Sequence, residues 1–304
     1  MKKLKFVLSL ITSDNDYQRE QASAAEETAR RLGVDIQVVY ADSDAITQSQ
    51  QLLKIIQDPS SDVDGIVLEP AGGTAFPQIA RAAASRGTGW VVLNRDVDYI
   101  SDLRSSFHVP MLAVSSDHEE IGRIQGRQVA AILPKGGSVL YIQGPSGSAV
   151  SQQRTSGMLD TKPTNISLKT LKSATWTEES GHRAVSAWLR LSTAHSERVD
   201  AVVAHNDFIA LGARKAFEQN TAGQERAKWL SLPFLGIDGL PKTGQAWVRE
   251  RVLTATIVVP PNTVPALEML VEAIRTNSQP PEYTLIEPKS FPDLKSLAAA
   301  SGRI

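Results

Sequence analysis

"VVAHNDFIALGA", residues 202–213, runs apolar, breaks at His205, Asn206 and Asp207, and then resumes with aliphatic residues at helical spacing. A β-branched run that stops at a polar elbow and continues as an amphipathic helix reads as a strand-to-helix turn of a parallel sheet. The same alternation extends outward in both directions. Upstream come "LKFVLSLI", a helix from about Tyr17 to Leu32 closing on Gly33, "VDIQVVY", a helix through "ITQSQQLLKIIQ", "GIVLEP", a helix through "FPQIARAAASR", and "WVVLNRD". A bridging stretch, "FHVPMLAVSSDHEE", leads into a helix through "IGRIQGRQVAAIL". The pattern then restarts with "GSVLYIQG", "ISLKTLK", "VDAVVAH", "PFLGID" and "TATIVV", with helices between them. The expectation is an α/β fold of two lobes, each with its own parallel sheet.

Length and composition fit this plan. A chain of 304 residues has room for two lobes of about 100–150 residues, each with its own core. With 41% hydrophobic and 21% charged residues, the composition is that of an ordinary soluble globular protein. The 32 basic and 33 acidic side chains nearly cancel, and no run of Lys or Arg is dense enough for a nucleic-acid footprint or a membrane-surface patch. A neutral or weakly polar small ligand suits such a surface better. The absence of cysteine excludes disulfides, thiolate metal sites and Cys nucleophiles together. The start, "MKKLKFVLSLITSD", pairs a basic beginning with a short apolar run. That run is shorter than the ~7–15 residues of a signal-peptide core and no small-x-small cleavage site follows, so it reads as a first strand. No window approaches the ~18 apolar residues of a membrane span.

Several chemistries lack their motifs. Neither G-x-G-x-x-G nor G-x-x-x-x-G-K-[ST] occurs, so no dinucleotide or P-loop site is expected, and no cofactor. "QGPSGSA" is Gly-rich and well placed, yet it lacks the phosphate-loop spacing, and Ser148 stands where a nucleophile elbow needs Gly. The histidines at 108, 118, 182, 195 and 205 form no H-x-x-x-H pair, so no metal site is expected. The carboxylate pairs Glu119–Glu120 and Glu178–Glu179 fall in first turns of helices, where the dipole favours them without any acid–base role.

Ligands of open parallel sheets sit beyond the carboxyl ends of the strands. The elbows there are "TSDNDY", "EPAGGT", "NRD", "QGPSGSA", "TWTEE", "HNDF" and "IDGLP". They carry the polar and aromatic groups that a polyhydroxylated ligand needs. In this order the elbows resemble the type I periplasmic binding proteins of the ribose-binding kind, the sugar-binding proteins of ABC importers. The pieces that carry the resemblance are "TSDNDYQREQ", "VVLNRD", "SSDHEEIGRIQG", "QGPSGSAVSQQRTSG", "VVAHNDFIALGA", "FLGIDGLP" and "LTATIVVPP", and it extends to about Glu287. The resemblance implies two Rossmann-like lobes joined by a three-crossover hinge near Ser116, Val259 and Leu285, closing on a ligand in the interlobe cleft. One lobe would comprise residues 1–115 plus 260–285 and the other 116–259 plus 286–304.

By the same resemblance the ligand-binding positions fall on Asn15, Tyr17, Asn94, Arg95, Gln152, Arg154, Trp176, Asn206, Asp238 and Val259. Each has a chemistry that fits. Asn15 and Asn206 offer amides, Tyr17 and Trp176 offer aromatic faces for sugar C–H groups, Arg95 offers several donors, and Asp238 offers a strong acceptor. The plainer alternatives are a helix-start staple for Tyr17 and a surface ion pair with Asp96 or Asp98 for Arg95. Asp207 reads as an N-cap of the following helix, and His205 as outer packing of the elbow.

Three positions depart from the ribose-binding pattern. Asn94 stands where that pattern has an aspartate, Gln152 where it has an arginine, and Val259 at a polar crossover position; Arg154, two residues past Gln152, could reach the same space. The expected ligand is therefore a deoxy sugar, a different pentose or hexose, or a polyol. The resemblance implies a monomer that is no enzyme and hands its ligand to an ABC transporter permease, with a chemoreceptor as a second partner and no nucleic acid. It places the protein in the periplasm, with the cytoplasm as the alternative because no export signal is evident. The lactose-repressor-type effector domains share the fold and several elbows, so a ligand-sensing effector domain is the competing function. An enzyme is the third class, and no paired nucleophile and base among the elbows supports it.

Overall fold

The strand "KFVLSL", Lys5–Leu10 (β1), buries every position after its first, and Gly65–Leu68 (β3), Gly89–Leu93 (β4) and Met111–Ser116 (β5) bury all of theirs. Near-continuous burial means that helices cover both faces of the sheet, as parallel strands require. In the computed structural model, which describes residues 2–72, 76–95, 97–194 and 197–301, the chain divides into two compact units. These are Met1–Ser116 with Pro261–Ile286, and Asp117–Pro260 with Glu287–Ile304.

The first unit adds Asp16–Leu32 (α1), Asp35–Tyr40 (β2), Ala45–Gln57 (α2), Pro77–Ser85 (α3) and Tyr99–Ser106 (α4), and later Thr263–Thr276 (α11) and Tyr283–Ile286 (β11). Its sheet has the order β11-β5-β4-β3-β1-β2, and every pairing is parallel. Phe6, Leu8, Leu10, Val67, Val91 and Val114 pack under α1 and α11 on one face. Val7, Ile66, Leu68, Trp90 and Met111 pack under the helices of the other. The stretch read as a bridge, "FHVPMLAVSSDHEE", contains the full strand β5, held between β4 and β11. Its Pro and terminal serines masked a run that is buried throughout.

The second unit runs through His118–Ile132 (α5), Gly137–Gln143 (β6), Ala149–Thr161 (α6), Ile166–Lys172 (β7), Glu178–Leu189 (α7), Ala201–Ala204 (β8), Asp207–Asn220 (α8), Gly223–Leu230 (α9), Phe234–Leu235 (β9), Gly244–Arg249 (α10) and Thr256–Val258 (β10). It ends with Lys289–Phe291 (β12) and Leu294–Ser301 (α12). The order β7-β6-β8-β9 is again parallel, and β12 pairs antiparallel with β10. An aromatic group fills one side of the core, with Phe217 stacked on Trp229 at 4.7 Å between centroids and Trp188 edge-on to both. α5 and α6 approach so closely that a Cβ at Gly157 would overlap the Glu119 carbonyl. That contact fixes where α6 presents Arg154. Among the described residues no helix is long and apolar enough to cross a membrane.

Candidate functional site

Each unit gathers polar side chains at the carboxyl ends of its strands. In the first unit the elbow after β1 is shaped by the cap of α1: Asn15 Oδ1 accepts from the Gln18 N–H at 2.9 Å. The expected ligand amide therefore already serves the helix with its oxygen. Tyr17, the second residue of α1, is half-buried, and its hydroxyl accepts from Asn94 Nδ2 at 3.0 Å.

Asn94, just past β4, is buried and lies in the left-handed region at φ 55°, which Asn tolerates better than most residues. Its amide is fully engaged. Nδ2 donates to Tyr17 Oη and, at 3.2 Å, to Glu69 Oε1, while Oδ1 accepts from Asn262 Nδ2 at 2.5 Å and from the Ser116 N–H at 3.4 Å. An amide has two donors and two acceptor lone pairs, so nothing is left over. Arg95 is half-buried and donates to the Gly72 carbonyl at 3.1 Å. Asp96, the alternative ion-pair partner, and Gly73 and Thr74 of the "EPAGGT" elbow lie outside the described residues.

Sequence reasoning missed Glu69. It sits in that elbow directly after β3, is buried, and accepts from Gln18 Nε2 at 2.7 Å as well as from Asn94. Burial pushes its carboxyl above the usual range, against the pull of these two amides and of Arg95. An acid ending an otherwise apolar strand, "GIVLEP", was the available signal.

In the second unit the opening elbow resolves differently from expectation. Asn206 is the N-cap of α8: its Oδ1 accepts from the Ile209 N–H at 2.7 Å, and its Nδ2 donates to the Trp176 carbonyl at 2.9 Å. Asp207, read as the cap, is instead the first helical residue. Its carboxylate is buried and accepts from the Gly239 N–H at 2.8 Å and the Thr256 hydroxyl at 2.6 Å. The extended backbone of Asn206, at φ −156°, aims its own side chain back over the first turn, which is what an N-cap requires.

His205, read as outer packing, is fully buried. Its Nδ1 accepts from the Gly144 N–H at 3.0 Å, which puts the ring proton on Nε2, 2.6 Å from the Tyr141 hydroxyl. Burial, with Arg154 nearby, holds its pKa well below the ordinary histidine value, so the ring is neutral.

Arg154 organises the rest of this cluster. It is buried, donates to the His205 carbonyl, lies 3.9 Å from Asp238 Oδ1, and sits with its guanidinium 5.5 Å from the centre of the Trp176 ring. Trp176 in turn rests on Gly144, where any Cβ would overlap its indole. Asp238 is buried at φ 102°, a conformation L-residues rarely adopt and that folds retain mostly at functional sites. The Val259 N–H donates to its carbonyl at 3.1 Å, so Val259 acts here through its backbone. Burial pushes the Asp238 carboxyl up to about 7, with Arg154 pulling the other way. Asp207 is raised well above its ordinary value by burial and by Asp238.

Gln152 does not join this group. It is exposed, and two residues along a helix turn it roughly 200° away from Arg154. Among the described residues no group of three or more His, Asp or Glu could hold a metal ion. The two clusters offer donors, acceptors and one aromatic face each, a chemistry for binding hydroxyl groups.

This chain is similar to the ribose import binding protein of Bacillus subtilis, at 26% identity over 84% of this chain and 76% of that one. It is likewise similar to the D-ribose/D-allose-binding protein of Pseudomonas aeruginosa, at 28% identity over 70% of this chain and 62% of that protein. In fold it is similar to a periplasmic solute-binding protein of an ABC transporter from Actinobacillus succinogenes, solved with bound D-allose. That likeness has a TM-score of 0.82 at 21% identity and covers 98% of this chain and 100% of the other. The sequence pattern of the periplasmic binding protein domain matches residues 6–275, and the chain belongs to that family.

Proposed function

We propose that this chain is a non-enzymatic solute-binding protein of the periplasm that binds a monosaccharide or polyol and delivers it to an ABC importer. The observation that carries the reading is the pairing of an aromatic face with charged groups at the carboxyl ends of the strands in each unit. Tyr17 stands with Glu69 and Arg95 in one cluster, and Trp176 with Arg154 and Asp238 in the other. Aromatic rings pack against sugar C–H groups while carboxylates and guanidinium groups bond hydroxyls. The ribose and allose named for the relatives and the fold neighbour support the class of ligand. The permease is the partner that such delivery requires.

Asn94, Asn15 and Asn206 spend their amides largely on the fold, so the ligand contacts fall to Tyr17, Arg95, Trp176, Arg154 and Asp238. Selectivity follows from burial, because a stereoisomer that leaves one buried group unpaired loses about 1–3 kcal/mol. The test is thermal unfolding with D-ribose, D-allose, xylitol and myo-inositol, with mass spectrometry of any molecule that co-purifies. A ligand at a thousandfold excess over its Kd stabilises by about 4 kcal/mol, so the expected outcome is a rise of several degrees with at least one compound. No shift with any of them and no co-purifying sugar or polyol would contradict the reading.

A further inference from the structure

We propose that Glu69 is the carboxylate through which the first unit bonds its ligand. The inference rests on the sugar- or polyol-binding reading and adds the residue that sets its selectivity. Three observations meet here. The side chain expected to contact ligand, Asn94, has all four of its hydrogen-bonding positions occupied by Tyr17, Glu69, Asn262 and Ser116. Glu69 lies at the carboxyl end of β3, beside β4 and β1, where parallel sheets place their ligands. Among the described residues its direct partners are two neutral amides, Gln18 on Oε2 and Asn94 on Oε1.

An ionised carboxylate has about four acceptor positions, so about two on Glu69 remain for a ligand. A buried carboxyl held by amides alone is poorly compensated, and this one is indeed shifted upward by burial, with Arg95 helping only through its field. A ligand hydroxyl donating to Glu69 supplies a further partner. Glu69 also holds Tyr17 in place indirectly, since the same Asn94 nitrogen donates to both. A brace and a ligand contact must therefore be told apart.

The ligand class that follows is a polyol or sugar with a free hydroxyl at one defined position. The experiment is calorimetric titration of the full chain and of Glu69→Gln with whichever of D-ribose, D-allose, xylitol and myo-inositol binds most tightly, and with the monodeoxy analogues of that compound. The expected result is a 10- to 100-fold loss for the parent compound in Glu69→Gln, the range of one charged hydrogen bond. The analogue lacking the hydroxyl that meets Glu69 should bind both proteins within about twofold, because that bond is absent in either. A loss shared equally by the parent and every analogue would make Glu69 a brace and overturn the proposal, as would an unchanged affinity for the parent. Should Glu69→Gln fail to fold, Glu69→Asp keeps the charge, withdraws it by one methylene, and is held to the same comparison. Failure of the unsubstituted protein to bind any of the four compounds would instead overturn the functional reading, and this proposal with it.

Discussion

The two polar clusters hold their shape by different physics. In the first unit a single buried carboxyl, Glu69, is wired into neutral amides, and Asn94 joins Tyr17, Glu69, Asn262 and Ser116 in one network. In the second, a buried guanidinium stands among two carboxyls and a neutral imidazole, with an indole against its face. Saturated hydrogen bonds such as those of Asn94 fix geometry, whereas partly compensated buried charges respond to protons, as Glu69 does alone in the first unit and the group around Arg154 does together in the second. The first cluster is thus an amide template around one carboxyl, and the second is an electrostatic one.

The largest expected effect separates them by pH. Asp238, pushed up to about 7, keeps a proton in the folded chain that the unfolded chain releases near pH 4. Between those values the folded state holds more protons, so this carboxyl withdraws stability as pH rises. His205 acts in the opposite sense, since its depressed pKa makes stability fall as pH drops below about 6.5. Comparing the unsubstituted protein with Asp238→Asn cancels the histidine. The advantage of the variant in denaturant unfolding should grow by up to about 4 kcal/mol from pH 4 to pH 7; a shrinking advantage would break the electrostatic account.

Next comes Arg154→Met, which removes a cation beside His205, Asp207 and Asp238 and should cost about 3 kcal/mol at pH 7, less at pH 5 where Asp238, pushed up to about 7, is largely neutral. An equal loss at both values would make Arg154 a packing residue. In the first unit, Asn94→Ala should cost about 2 kcal/mol, and because the lost Nδ2 bond holds the Glu69 carboxyl down against burial, the loss should be larger at pH 8 than at pH 5. The smallest effect sharpens the comparison at the elbow itself. Asn206→Ala should cost about 1 kcal/mol of stability as the loss of a helix cap, read from the shift in unfolding midpoint.

How much of this was legible from residues follows from what sequence pattern encodes. The strand-elbow-helix order and the closing of α1 on Gly33, at φ 68°, are local and read directly. The cap of α8 falls on Asn206 rather than on Asp207 because it depends on one extended backbone angle, which composition does not carry. Placing His205 outside followed from its polarity, yet its two partners, Tyr141 and Gly144, lie on the neighbouring strand and its following loop and meet it only through sheet pairing. Arg154 and Gln152 were equivalent candidates until the turn of α6 buried one and exposed the other. Glu69 stood in an elbow already marked, and its importance emerges only once Asn94 is seen to have no bond left to give.

The central claim, that these clusters bind a sugar or polyol, is tested most directly by intrinsic fluorescence. Trp90, Trp188 and Trp229 are buried in cores and Trp247 packs against Phe208, whereas Trp176 flanks Arg154 at the carboxyl end of the sheet. Titration with D-ribose, D-allose, xylitol and myo-inositol should give a saturable change with at least one of them, and Trp176→Phe should abolish most of that change while the protein stays folded. No saturable change with any compound, or one of the same size in Trp176→Phe, would contradict the account.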